Sequence, residues 1–279
     1  MVLPSGREVL RVLSAYVAER WKLLLDERQR VLRQPHPEAI HDLRVASRRL
    51  RAVLDQLRLF QEAKVGGRVT RSIRRLTRRL GGIRDHDEAL QYFSGLGFSG
   101  LEPLCNRLQR RREREVADLL HWLAKPSIDD AGRHVAVAIR GLANSSDTSA
   151  EQALALLAER SLQLYLPIAN LAPRVVLPEH DDDRHALRIA LKKWRYFNEL
   201  LGRVTGADTA VLLEQLRSYQ TVLGRLNDLA VFEALCARAE LAEELDDAVR
   251  QQIARQRQEL DADFLRLLAQ QPLHYTLLL

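Results

Sequence analysis

Between residues 41 and 57 apolar side chains return every third or fourth position, at Leu43, Ala46, Leu50, Val53, Leu54 and Leu57. At about 100° per residue this spacing gathers them on one face of a helix. The same period runs through most of the chain. It predicts helices near residues 5–33, 37–62, 68–94, 100–125, 128–142, 150–170, 183–202, 208–239 and 241–270. No alternating run of more than a few residues competes for a strand. Two stretches break the pattern most clearly: NSSDTS at 144–149, and PRVVLPEHDDD at 173–183. Only 13 Gly and 9 Pro occur in 279 residues, and Leu, Ala, Arg and Glu dominate, which favours helix further. With 46% hydrophobic residues the chain can bury a core, which excludes a disordered class. The expected fold class is all-α.

A repeat refines this expectation. HDLRVASRRLR at 41–51 matches HALRIALKKWRY at 185–196, an offset of 144 residues. IRRLTRRLGGIRD at 73–85 then matches LRSYQTVLGRLND at 216–228, at an offset of 143. Two motifs in one order at nearly one offset indicate an internal duplication. Residues 1–279 are therefore expected to form a single domain of two related helical halves, about 1–144 and 150–279, joined near 144–149.

Charge changes the picture next. The net charge is +6, and residues 41–84 hold 13 Lys/Arg against 3 Asp/Glu, which leaves the remainder slightly acidic. His41, Arg44, Arg48 and Arg51 share one edge of their helix, away from the apolar face. The second copy repeats the edge with His185, Arg188, Lys192 and Arg195; Trp194 lies on the apolar side and Tyr196 beside the cations. Arg49 and Lys193 match one another next to these edges. Over 71–80, Arg71, Arg74, Arg75 and Arg78 oppose Ile73, Leu76 and Leu80. Cations at such spacings repel one another unless an anion intervenes. Only Asp55 and Glu199, equivalent in the repeat, fall on the stripes, where they are expected to orient neighbouring arginines. A solvated face explains one such stripe well; its duplication with the leading histidine favours an anion-binding function.

For His41 and His185, helix capping and packing are the alternatives. A metal pair would need carboxylate or further histidine partners that the motifs lack. Asp85-His86-Asp87 looks like a ligand cluster, yet only its first aspartate has a counterpart, Asp228. A helix cap or a bond to an arginine nearby is the expected role of that aspartate. Cys105 and Cys236, far apart and without CxxC spacing, read as small buried thiols of a reduced compartment. No apolar window approaches 18 residues and no leader pattern opens the chain, so no membrane contact and a cytoplasmic location are expected.

The doubled segments, each followed by LGGIRD or LGRLND, resemble the CHAD (conserved-histidine α-helical domain) family over nearly the whole chain. The resemblance implies two four-helix bundles related by a pseudo-twofold, with basic helices lining a central surface. It also implies binding of inorganic polyphosphate; the residues themselves offer no catalytic, cofactor or metal motif, so a non-catalytic role without cofactor or metal is expected. The motif carries over His41, Arg44, Arg48, Arg51, Arg74, Arg78, His185, Arg188, Lys192, Arg195 and Arg217; the basic edge of the third helix adds Arg71. Ser218 and Thr221 stand where Arg75 and Arg78 do, so the second half departs from the first. The chemistry is compatible, because guanidinium forks pair bidentately with phosphate oxygens.

Three rivals stand beside this reading. A nucleic-acid backbone would suit the same cations, but single-strand binders add aromatic platforms, and the stripes offer only Tyr196. Some CHAD domains are fused to a triphosphatase domain marked by ExExK. Here Glu113-Arg114-Glu115 is followed by Ala117 where that pattern needs lysine, and neither a Walker loop nor HExxH occurs. An acidic protein partner is the third. The expected location is cytoplasmic, in association with polyphosphate granules.

Overall fold

A computed structural model describes residues 5–57, 59, 67–125, 127–144, 149–176 and 181–276. Among them the helices are α1 (Gly6–Arg33), α2 (Pro37–Leu57), α3 (Gly67–Gly95), α4 (Glu102–Leu123) and α5 (Ser127–Asn144), then α6 (Ala150–Leu171), α7 (Asp181–Thr205), α8 (Ala210–Cys236) and α9 (Glu243–Gln270). A 3₁₀ turn, Arg174–Val176, precedes α7. No strand occurs among the described residues, so the all-α expectation holds.

Local chemistry sets the helix ends. The Ser5 hydroxyl accepts from the Glu8 amide at 3.2 Å, and Ser149 and Gln152 form a reciprocal capping box at the start of α6. Gly206, at φ 72°, supplies the left-handed residue just past α7. One boundary differs from expectation. The apolar period starts this helix only at 183, but Asp181, Asp182 and Asp183 together form the first turn of α7, where carboxylates complement the positive end of the helix dipole. The expected continuation of α2 to residue 62 lies almost entirely outside the described residues, as do positions 145–148 and 177–180 of the two loops.

The helices pack in two parallel series. In the first half α1 lies on α2, α2 on α3 and α3 on α4; in the second α6 lies on α7, α7 on α8 and α8 on α9. α5 sits outside this scheme, against α1 and α3. Where the halves meet, α1 packs on α6, α2 on α7 and α3 on α8, so three elements of each repeat touch their own counterparts. Contact between like elements is what a twofold relation produces.

Two apolar cores hold this arrangement. The larger includes Leu43, Leu50, Ile73, Leu187, Trp194 and Phe264. The smaller joins the ends of α3, α4, α8 and α9 through Phe93, Leu104, Leu108, Phe232 and Ile253. At its edge the Tyr92 and Phe232 rings stack with centroids 4.5 Å apart. The crossing of α2 and α7 is thus fastened by one core, and the C-terminal ends of α3 and α8 by the other. Phe93 is 1% exposed in the smaller core. Phe93→Ala is expected to cost about 3–5 kcal/mol in urea unfolding. A loss under 1 kcal/mol would show that the smaller core does not brace the halves.

Candidate functional site

Burial of Leu43 and Leu50 on α2, and of Leu187 and Trp194 on α7, turns the basic edges of these helices toward one another. Arg48 donates from Nη2 to the Tyr196 hydroxyl at 2.6 Å, across the junction. The Arg195 guanidinium stands 4.9 Å from the Tyr196 ring centroid. Glu199 is 3.8 Å from Arg49 of the first half and 3.8 Å from Arg195 of its own helix. Among the described residues Asp55, its counterpart, reaches only Arg51 on its own helix, at 4.0 Å. Both acids therefore adjoin arginines as expected, but only Glu199 bridges the halves.

A bidentate ion pair between the halves involves an arginine outside the residues carried over from the motif. Arg84 donates from Nη1 and Nη2 to the two carboxylate oxygens of Asp228, at 2.8 and 2.9 Å. Glu88 and Asp85 also lie within 3.3 and 3.5 Å of its guanidinium. Burial alone would favour loss of the Arg84 proton, but the Asp228 hydrogen bonds and charge outweigh it and hold the proton more firmly than usual. Asp228 thus bonds an arginine, though of the opposite half rather than a neighbour in sequence. The repeat counterpart of Arg84 is Asn227, whose Oδ1 lies 2.7 Å from Nδ1 of His185. Arg84 was legible as the fifth residue of LGGIRD, beside the aspartate common to both repeats.

Above this pair the cations crowd. Lys192 is half-buried. Burial first, then the charges of Arg188, Arg48, Arg44 and Arg84, push its amine down to about 6. Arg44 is pushed down to about 10 by burial, helped by Arg48 and Arg84 and opposed by Asp85 and Tyr196. Arg188 is lowered chiefly by burial and partly sustained by Asp228. The Nε groups of Arg44 and Arg188 are screened from solvent and meet no acceptor among the described residues. Five cationic positions from α2, α3 and α7 thus face three carboxylates, Asp85, Glu88 and Asp228, all within reach of Arg84. An anion arriving here would meet guanidiniums with unused donors.

The remaining sequence candidates spread outward. His41 and His185 are exposed near the starts of their helices, and Lys193, Arg74 and Arg78 are exposed as well. Arg71 lies apart from the crossing. With Ser72, Arg75, Asp130, Arg133 and His134 it lines a hollow of about 330 Å³ between α3 and α5. Arg217 bonds Glu214 at 2.6 Å and borders a separate hollow with Glu199 and Arg203. His86 lies 3.3 Å from Glu115, and Asp87 accepts from Arg112. Among the described residues no group of three or more His, Cys, Asp and Glu is placed to hold a metal ion. Cys236 is buried, Cys105 half-buried, and both are free thiols.

The CHAD domain family model matches residues 15–237, from within α1 to the end of α8. The chain belongs to the CHAD domain family. Two solved structures share the CHAD fold seen here. The crystal structure of the CHAD domain from the plant Ricinus communis is 23% identical, with a TM-score of 0.70 over 95% of this chain and 88% of that one. PptA from Streptomyces chartreusis is 19% identical, with a TM-score of 0.70 over 95% of this chain and 99% of that one. A comparison with curated proteins finds no match.

Lys192 links this CHAD junction to stability. Its amine titrates near 6 when folded and near 10.5 when unfolded. Between those values the unfolded chain binds more protons, so this residue makes stability rise with pH. Lys192→Met is therefore expected to stabilise the ligand-free protein at pH 7 by on the order of 1 kcal/mol. The gain should shrink toward pH 10, as followed by urea unfolding across that range. A destabilised variant at pH 7 would contradict this account.

Proposed function

We propose that this protein binds inorganic polyphosphate, without hydrolysing it, along the cationic junction between its two halves. One observation carries the reading: Arg44, Arg48, Arg84, Arg188 and Lys192 converge from both repeats while the adjacent carboxylates are directed at Arg84. The CHAD family's association with polyphosphate supports it. Polyphosphate is a flexible string of charge with no base or sugar to read. It suits a row of donors rather than a closed pocket, with Arg51, Arg74, Arg78, Arg195 and the exposed histidines extending the row.

Aromatic positions weigh against a nucleic-acid ligand. Trp194 is fully buried and Tyr196 is 8% exposed, with its hydroxyl engaged by Arg48. Neither ring offers a platform on which a base could stack. No helix among the described residues is long and apolar enough to cross a membrane. The proposed setting is the cytoplasm, wherever polyphosphate accumulates.

Binding of long chains should weaken steeply with added salt, because released counterions drive it. A chain spanning both stripes gains effective concentration from its second contact. Arg44→Glu with Arg48→Glu should therefore weaken long-chain binding by at least ~10-fold, and Arg188→Glu should act in the same direction. Arg255→Glu, on the far helix α9, serves as the control for net charge. Calorimetry at fixed salt separates the cases, and equal losses in the control would defeat the bipartite site. Incubation of pure protein with polyphosphate and magnesium should release no orthophosphate; turnover would overturn the non-catalytic part.

A further inference from the structure

The hollow between α3 and α5 is built by packing that lies outside the repeat. On α5, Ile128, Ala131, Val135 and Ala138 are buried, and their spacing makes one packed stripe. A Cβ on Gly132 would stand 3.1 Å from the Trp21 ring, so this glycine lets α5 approach α1 closely. Asp130, Arg133 and His134 are left on the edge of α5 beside α3. On α3, burial of Ile73, Leu76 and Leu80 puts Arg71, Ser72 and Arg75 on the edge that meets them. The space between them is about 330 Å³, at the small end of ligand sites.

The charge here accompanies α5. At the repeat offset of 143, Arg71 and Arg75 correspond to Glu214 and Ser218, in the half that has no such helix. Asp130 is the one carboxylate among the lining residues, and it accepts from Arg133 of its own helix. Its backbone carbonyl can only accept, so His134 Nδ1, 2.9 Å away, carries the proton there and leaves Nε2 for another partner. Arg71 and Arg75, one turn apart, repel each other and meet no carboxylate among the described residues.

We infer that this hollow is a second anion site, separate from the junction, which takes a terminal phosphate group. Such a group carries about −1.5 to −2 charge near neutral pH and three acceptor oxygens, enough to engage several guanidinium forks at once. An interior phosphate of a chain carries less charge and needs an open path on two sides. None of the lining residues belongs to the junction, so the site stands whether or not polyphosphate binds there. A small phosphorylated molecule and the end of a polyphosphate chain both present the required group.

The test is nuclear magnetic resonance of the full chain. The His134 ring signals, assigned by their loss in His134→Gln, report on the hollow. Pyrophosphate should shift them saturably, and equally so in Arg44→Glu with Arg48→Glu, which alters only the junction. Arg71→Ala with Arg75→Ala, at exposed positions off the core, should weaken this response at least ~10-fold. Cyclic trimetaphosphate, which has no terminal group, should act far more weakly. Long polyphosphate at matched chain-end concentration separates the sources. The same shift assigns the site to chain ends, and no shift assigns it to small phosphorylated molecules. No response to pyrophosphate, an equal response to trimetaphosphate, or a response undiminished without both arginines would each overturn the inference. Failure of long chains to bind at the junction would remove only the functional reading above.

Discussion

Mutual repulsion among cations at the crossing of α2 and α7 is the constraint on which the rest of the molecule depends. At protein-surface screening, two unit charges 4 Å apart oppose one another by about 4 kcal/mol. Arg44, Arg48, Arg84 and Arg188 crowd together under repulsion of this kind, and with burial it drives the Lys192 amine toward its neutral form. Apolar burial elsewhere must offset it, at about 1.5–3 kcal/mol for each large side chain fully withdrawn from water. Trp194, Phe197 and Leu191 lie on the same helix as Lys192 and are 0–1% exposed, so α7 carries the force and the counterforce on opposite faces.

The repeat distributes this tension unevenly. Both halves carry an aspartate at the equivalent position, but only the first carries an arginine before it. The Arg84–Asp228 pair consequently has no mirror image, and Asn227 in the matching place approaches His185 instead. Glu199 repeats the asymmetry at the other end of the crossing, because it meets Arg49 across the junction whereas Asp55 stays with Arg51. The backbone is close to twofold in its contacts, and the electrostatics is not.

The helices were legible because each carries a 3.6-residue apolar stripe long enough to outweigh local noise. Offset repeats showed which helices correspond, and from that followed the pairing of the basic edges of α2 and α7. Other features depend on contacts between distant residues. Arg84 reads as one arginine among many until Asp228 of the opposite half is beside it. Arg71 belongs by periodicity to the stripe of Arg74 and Arg78, yet the placement of α5, which has no counterpart in the repeat, puts it in a different hollow. The acids at 181–183 looked like a loop because consecutive aspartates are poor helix formers; at a first turn the helix dipole reverses that preference.

The single Arg84–Asp228 clasp also bears on how this gene can be divided. Duplicated halves often invite separation into independent modules, but here each half holds one member of the clasp. Cut near residue 146, the N-terminal fragment would keep a half-buried guanidinium deprived of its bidentate acceptor, and the C-terminal fragment a carboxylate deprived of its donor. Both fragments would bare the aromatic seam of Tyr92, Phe93 and Phe232. The duplicated halves are thus an obligate couple, because the arginine that one copy alone carries is satisfied by the aspartate of the other.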